Sequence, residues 1–196
     1  MRLVLIRHAA TTGSDQGVLL GATDAEATPA GLRQAGELVP RIKEYGVRSW
    51  FVSPMKRAGQ TMETLARCGC PGAASRTIDD RLREMDFGRW EGMTFDAVVE
   101  SDPDLVAAWS RYEDFVFPGG ESVSGFTGRV AAVLEDLRSQ DSGTVGLVTH
   151  GGVIRTMICL ALGLAPRNYL LFAVEPASLT VLDLHSGGGV LHLLNG

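Results

Sequence analysis

Two short apolar runs, "RLVLI" at 2–6 and "TVGLVT" at 144–149, set the tightest limit on what this chain can fold into. Neither alternates apolar with polar side chains, as a strand with one wet face would. Such runs belong to strands buried on both faces, which helices must cover. The helical patterns lie between them. "TPAGLRQAGELVPRIKEYG" reads as a helix, with Thr28 as N-cap, Pro29 in the first turn and Gly46 as the stop. Its apolar face is Leu32, Ala35, Leu38, Val39 and Ile42, and Pro40 predicts a kink or break inside it. "SWFV" (49–52) is a second buried strand, followed by a helix from about Met55 to Arg67. "SRTID" carries a weaker strand signal. "FTGRVAAVLEDLRSQ" and "GGVIRTMICLALGL" are helices on either side of 144–149, and "SLTVLDLHSGGGVLHLL" reads as two strands joined by a Gly-rich turn. Strands alternating with helices predict an α/β fold with a mainly parallel sheet and right-handed crossovers.

At 196 residues the chain fits one domain, 1–196, and 45% hydrophobic content supports a packed core. The pattern changes between 81 and 125, where short helical pieces carry Trp90, Phe95, Trp109, Tyr112, Phe115 and Phe117. This stretch reads as an insertion over one end of the sheet, most of its aromatics forming a satellite core. A net charge of −5 argues against a generic nucleic-acid binder, though not against a local basic pocket. Three cysteines, Cys68, Cys70 and Cys159, fit neither a disulfide framework nor a zinc knuckle, so reduced thiols in a cytoplasmic protein are expected. No run approaches the roughly 18 apolar residues of a membrane span. "LVLI" is too short for a signal-peptide core, so no membrane partner is expected; a homo-oligomer stays open.

In parallel sheets, ligands bind beyond the carboxyl ends of the strands. There "LVLIRHAA" runs into Arg7 and His8, and "TVGLVTHGG" runs into His150, with a helix starting at Gly151-Gly152. "FVSPMKRAGQT" leaves its strand at Ser53-Pro54 and places Arg57 in the next helix's first turn. Two arginines and two histidines without clustered carboxylates make a poor metal site and a good anion site, since guanidinium forks match phosphate oxygens. Backbone amides at Gly151 would add donors. A neutral imidazole can attack phosphorus, and nearby guanidinium charge disfavours its protonated form. "LREMDFGRWEG" supplies three candidate acids, Glu84, Asp86 and Glu91.

A single strand-terminal histidine is usually a packing residue; the joint arrangement of His8, His150 and Arg57 favours chemistry. Thr11 and Ser14 read equally as turn-formers and as phosphate contacts. Glu121 and Ser122 of "PGGES" read as a helix start or as part of the pocket mouth. His185 and His192 read as structural or surface residues.

The ordered stretches "LVLIRHAATT", "TPAGLRQA", "SPMKRAGQT", "LREMDFGRWEG", "PGGES" and "LVTHGGVIR" resemble the histidine phosphatase superfamily, in its phosphoglycerate-mutase-like branch. The resemblance implies a three-layer α/β/α fold. It also implies that His8 is the nucleophile that becomes phosphorylated, that Arg7, Arg57 and His150 bind the phosphoryl group, and that Glu84 is the proton donor. It implies no metal or organic cofactor, and a small phosphorylated metabolite as substrate. The compact arrangement most resembles the α-ribazole phosphatases, which suggests α-ribazole 5'-phosphate, although broad-specificity phosphatases share nearly all of it. The chain departs from the family at Ala9-Ala10, where Gly and Glu are usual, at Ser14, where Asn is common, and at Ala22, where a basic residue is frequent. A phosphoglycerate mutase, a catalytically inactive phosphate-binding module and a metallohydrolase are the competing readings.

Overall fold

A computed structural model describes residues 1–111, 115–139 and 143–196. Six strands, β1 (Arg2–Arg7), β2 (Ser49–Val52), β3 (Arg76–Ile78), β4 (Thr144–Thr149), β5 (Leu179–His185) and β6 (Gly188–Leu193), form one sheet in the order β3-β2-β4-β1-β5-β6. The first four are parallel, and the C-terminal pair closes one side antiparallel. The mainly parallel α/β fold is thus observed, and the run 2–6 lies in the middle of the sheet.

The burial of β1 shows why its sequence does not alternate. Leu3 and Leu5 face one helical layer and Val4 and Ile6 the other, and all four are fully buried. On the Val4/Ile6 side lie α3 (Val39–Glu44) and α4 (Lys56–Arg67), which bury Ile42, Met62 and Leu65. On the Leu3/Leu5 side lie α7 (Val123–Ser139) and α8 (Gly151–Ala161). Three layers result, each sheet face sealed by apolar side chains. Gly146 sits mid-strand in β4 because Trp50 of β2 crosses it: a Cβ there would stand 2.4 Å from the indole.

Several boundaries differ from expectation. The break that Pro40 predicts inside 29–46 is present, the pattern forming two helices, α2 (Pro29–Glu37) and α3, that meet at Leu38, two residues before the proline. Pro40 falls in the first turn of α3, where its missing N–H costs nothing. The loop 11–27 contains a helical turn, α1 (Thr12–Asp15). Helix α7 begins at Val123 instead of Phe126, and its expected end at Gln140 lies outside the described residues. Helix α8 ends at Ala161, ahead of Gly163, whose φ of 68° favours glycine.

The segment 81–125 holds two short 3-10 turns, α5 (Phe95–Ser101) and α6 (Pro103–Arg111). Trp90, Trp109, Phe115 and Phe117 stack around one another with centroids 5.1–6.0 Å apart. They are continuous with the core beneath α7 and α8, while Phe95 is half exposed and Tyr112 lies outside the described residues. Among the described residues no cysteine is paired, and no helix is long and apolar enough to cross a membrane.

Candidate active site

Strands β1 and β4 pair in parallel with Arg7 opposite Thr149. That register carries the next residue of each strand, His8 and His150, off the same edge side by side, with ring centroids 4.9 Å apart. The His8 N–H donates to the Thr149 carbonyl (2.9 Å), extending the ladder by one rung.

His8 is held in one tautomer. Its Nδ1 lies 2.7 Å from the Ala9 carbonyl, which can only accept, so Nδ1 carries the proton. Nε2 keeps its lone pair and accepts from Arg57 Nε at 3.2 Å. Burial, with Arg57 and Arg7 alongside, pushes His8 down to about 3. His150 is also held neutral, well below the usual histidine range, first by burial and then by His8, Arg57 and Arg7. Its Nε2 meets Ser53 Oγ at 2.7 Å, and the Met55 N–H also donates to that hydroxyl (3.4 Å). The Ser53 hydroxyl and Nε2 share one hydrogen bond, in which the hydroxyl donates when Nε2 is bare and accepts when Nε2 carries the proton. His150 Nδ1 is buried and has no hydrogen-bond partner among the described residues.

Arg57, in the first turn of α4, is fully buried. Its remaining nitrogens donate to the carbonyls of Thr23 and Gly21, both at 2.8 Å. Glu91 holds that loop from behind, accepting from the amides of Gly21, Ala22 and Thr23 at 3.0–3.1 Å and from Phe87 at 3.1 Å. Asp24 caps α4 through the Lys56 amide (2.7 Å). Arg7 donates to the Val174 carbonyl, and its Nε is buried without a partner among the described residues. Burial lowers the Arg7 and Arg57 guanidiniums from their usual values.

The three acids of "LREMDFGRWEG" separate cleanly. Glu91 is committed to the loop, and Asp86 caps the 3-10 turn through the Gly88 amide (2.8 Å). Glu84 faces open space. Its carboxylate accepts from the amides of Met85 (3.0 Å) and Gly152 (2.9 Å) and lines two clefts, one on each side. At Gly152 a Cβ would come within 2.3 Å of Glu84 Oε1, so the carboxylate reaches the start of α8 only because residue 152 lacks a side chain. Thr149 Oγ1 donates to the Leu82 carbonyl (2.8 Å), tying β4 to the turn that leads into Glu84.

The first cleft, about 250 Å³, is lined by Arg7, His8, Thr11, Ser14, Glu84, Gly151 and Gly152. Val18, Leu19, Leu20 and Phe87 form its apolar wall, and Arg155 of α8 also lines it. The second, about 300 Å³, is lined by Ala22, Met55, Arg83, Asp86, Gly120, Glu121 and Arg129 together with Glu84. Thr11 and Ser14 form a reciprocal cap of α1 while still facing the first cleft. Glu121 pairs with Arg129 through both oxygens (2.8 and 2.9 Å). The Ser122 hydroxyl accepts from Gly125 and caps α7. His192 pairs with Asp183 at the surface (2.9 Å), and His185 is exposed.

Sequence reasoning did not single out Ser53, Glu91 as a structural staple, or Arg155. "SPMKR", "GRWEG" and "HGGVIR" carried these residues, but their roles depend on contacts across the fold.

The model of the histidine phosphatase superfamily (branch 1) matches residues 3–196. Phosphoserine phosphatase 1 of Hydrogenobacter thermophilus is 29% identical over 199 residues, covering 100% of this chain and 92% of the relative. A protein named "Probable phosphoglycerate mutase GpmB" from Escherichia coli O1:K1 / APEC is 30% identical over 171 residues, covering 84% of this chain and 76% of the relative. The crystal structure of the α-ribazole phosphatase from Shigella flexneri superposes with a TM-score of 0.85 at 26% identity, covering 100% of this chain and 96% of that one.

Proposed function

This chain belongs to the histidine phosphatase superfamily, and on that premise we propose that it is a metal-independent phosphomonoesterase working through a phosphohistidine on His8. One observation carries the reading: a buried, neutral His8 presents an unprotonated Nε2 to a guanidinium, beside a neutral His150 whose Nδ1 has no hydrogen-bond partner among the described residues.

In the proposed sequence the phosphoryl group of a small metabolite enters the His8 cleft. Arg57 Nε turns from the lone pair it marks to a phosphoryl oxygen, joined by Arg7, His150 through Nδ1 and the amide of Gly151. His8 Nε2 attacks phosphorus, the P–O bond to the leaving group breaks, and Glu84 gives the departing oxygen its proton. The Glu84 carboxylate then takes a proton from water, which attacks the phosphohistidine. Phosphate leaves and His8 is restored. Thr11 and Ser14 border this path, and Glu121 borders the second cleft.

The test is quenching in alkaline detergent with labelled substrate, followed by acid or base treatment of the trapped protein. An acid-labile, base-stable phosphoenzyme in the wild type, absent from His8→Ala, supports the reading; full turnover by His8→Ala rejects it. A mutase shares the first half of this chemistry, and the likeness to a protein named as a mutase keeps it as the second reading. The short stretch after "LREMDFGRWEG" favours hydrolysis, and phosphate release measured against 3- to 2-phosphoglycerate conversion decides between them. α-Ribazole 5'-phosphate is one candidate substrate, and comparing kcat/KM across phosphorylated metabolites ranks it.

A further inference from the structure

The Val174 carbonyl accepts from the Arg7 guanidinium, and among the described residues it is the guanidinium's one hydrogen-bond partner. The loop around Val174 grips the end of β1 at two further points. The Arg7 backbone N–H donates to the Ser178 carbonyl (3.2 Å), and the Ala177 N–H donates to the His8 carbonyl (3.1 Å). Local preference does not hold the loop in this shape. It follows a short 3-10 turn, Pro166–Leu171, and Ala177 has a φ of 48°, in the left-handed region that disfavours residues with a side chain. Released, such a backbone would relax and carry the Val174 carbonyl with it.

Asn195 holds the loop from outside. Its Oδ1 accepts from the Glu175 N–H (2.8 Å), and its Nδ2 donates to the Ala173 carbonyl (2.9 Å). An N–H can only donate and a carbonyl only accept, so these partners fix the orientation of the amide. One side chain thus makes the paired exchange that a facing residue makes in an antiparallel ladder. It engages the backbone on both sides of Val174 and leaves that residue's own carbonyl to Arg7. Asn195 is itself well placed: its φ of 57° is one that asparagine tolerates better than most residues. The next residue, Gly196, exchanges both backbone bonds with Leu179 at the start of β5 (2.9 and 3.1 Å).

We propose that Asn195 is a positioning residue, acting through the Val174 carbonyl to set the Arg7 guanidinium against the phosphoryl group. The inference rests on the phosphatase reading, in which Arg7 is one of the groups that hold that phosphoryl, and it adds to the site a residue remote from every strand end that forms it.

Asn195→Gly removes the amide and suits the left-handed backbone, so the pairing of Gly196 with Leu179 is kept. On phenyl phosphate, kcat/KM should fall about tenfold, while the melting temperature drops by no more than about 4 °C. In an Arg7→Ala background the same substitution should change kcat/KM by less than about twofold, because the group through which Asn195 acts is gone. An unchanged kcat/KM in Asn195→Gly overturns the proposal. An equal fall in both backgrounds also overturns it, since a merely structural role would give that result. Calorimetry with orthophosphate keeps the test open should Arg7→Ala fail to fold. There, Asn195→Gly should bind about five- to tenfold more weakly than the wild type, and equal affinity counts against the proposal. Failure of the phosphatase reading shows elsewhere, as a wild type that releases no phosphate from phenyl phosphate.

Discussion

Arg57 Nε donates to His8 Nε2 across 3.2 Å, so the atom proposed to attack phosphorus already rests against a cation. The contact keeps the imidazole unprotonated and points its lone pair along the line a phosphoryl oxygen would later share. Its other two nitrogens are anchored on Thr23 and Gly21, which leaves Nε as the nitrogen that can pass to a phosphoryl oxygen.

Keeping two buried histidines neutral costs stability in acid. His8 is pushed down to about 3 and His150 lies well below its ordinary value, whereas the unfolded chain titrates near 6.5. Below about pH 6.5 the unfolded chain therefore binds protons that the folded one refuses, and stability falls as pH drops toward about 3. Urea titrations between pH 7 and 4 should show this slope. His8→Asn should reduce it, by up to about 1.4 kcal/mol per pH unit; an identical slope would refute the assignment of a neutral His8.

Ser53 acts on the chemistry through His150. Ser53→Ala removes the hydrogen-bond partner of Nε2 and leaves the buried ring with neither nitrogen held. We expect kcat on an aryl phosphate to fall about ten- to hundredfold with a smaller change in KM, and stability to fall by about 1–2 kcal/mol. Ser53→Thr, which retains the hydroxyl, should recover most of both.

Gly152→Ala tests the placement of Glu84. Alanine suits a helix, so thermal melting should hold or improve. The new methyl would nevertheless stand 2.3 Å from Glu84 Oε1 and displace it. A fall of about hundredfold in kcat with an intact fold is the expected result, and wild-type kcat would show that Glu84 does not work from this position.

Glu91 touches four backbone amides and neither cleft. Glu91→Ala should cost about 3 kcal/mol in chemical denaturation and should also lower kcat, because the loop it releases carries both carbonyl anchors of Arg57. Glu91→Gln keeps one accepting oxygen and should fall in between.

Local pattern accounts for much of this molecule. Doubly buried strands announced themselves by their missing alternation, and the parallel pairing of β1 with β4 follows from the helices between them. His8, His150 and Arg57 were legible because each occupies a strand end or the helix turn just after one. The split of the first helix at Leu38 was half visible, through Pro40, which opens the second helix instead of kinking one long one. Glu84 could not be told from Glu91 by local residues, since both sit in one loop. What separates them is contact with Gly152 in one case and with Gly21–Thr23 in the other, about 70 positions away along the chain. Arg155 was hidden for the same reason: a guanidinium one turn into a helix looks like ordinary solvated charge until the cleft beside it is seen.

The bond from Thr149 Oγ1 to the Leu82 carbonyl has a mechanical consequence. Thr149 immediately precedes His150, and Leu82 precedes Glu84 by two residues, so a single short link yokes the proposed proton donor to the rigid centre of the sheet. The helices of the segment beyond it, α5 and α6, line neither cleft, so the span between donor and nucleophile is set without them.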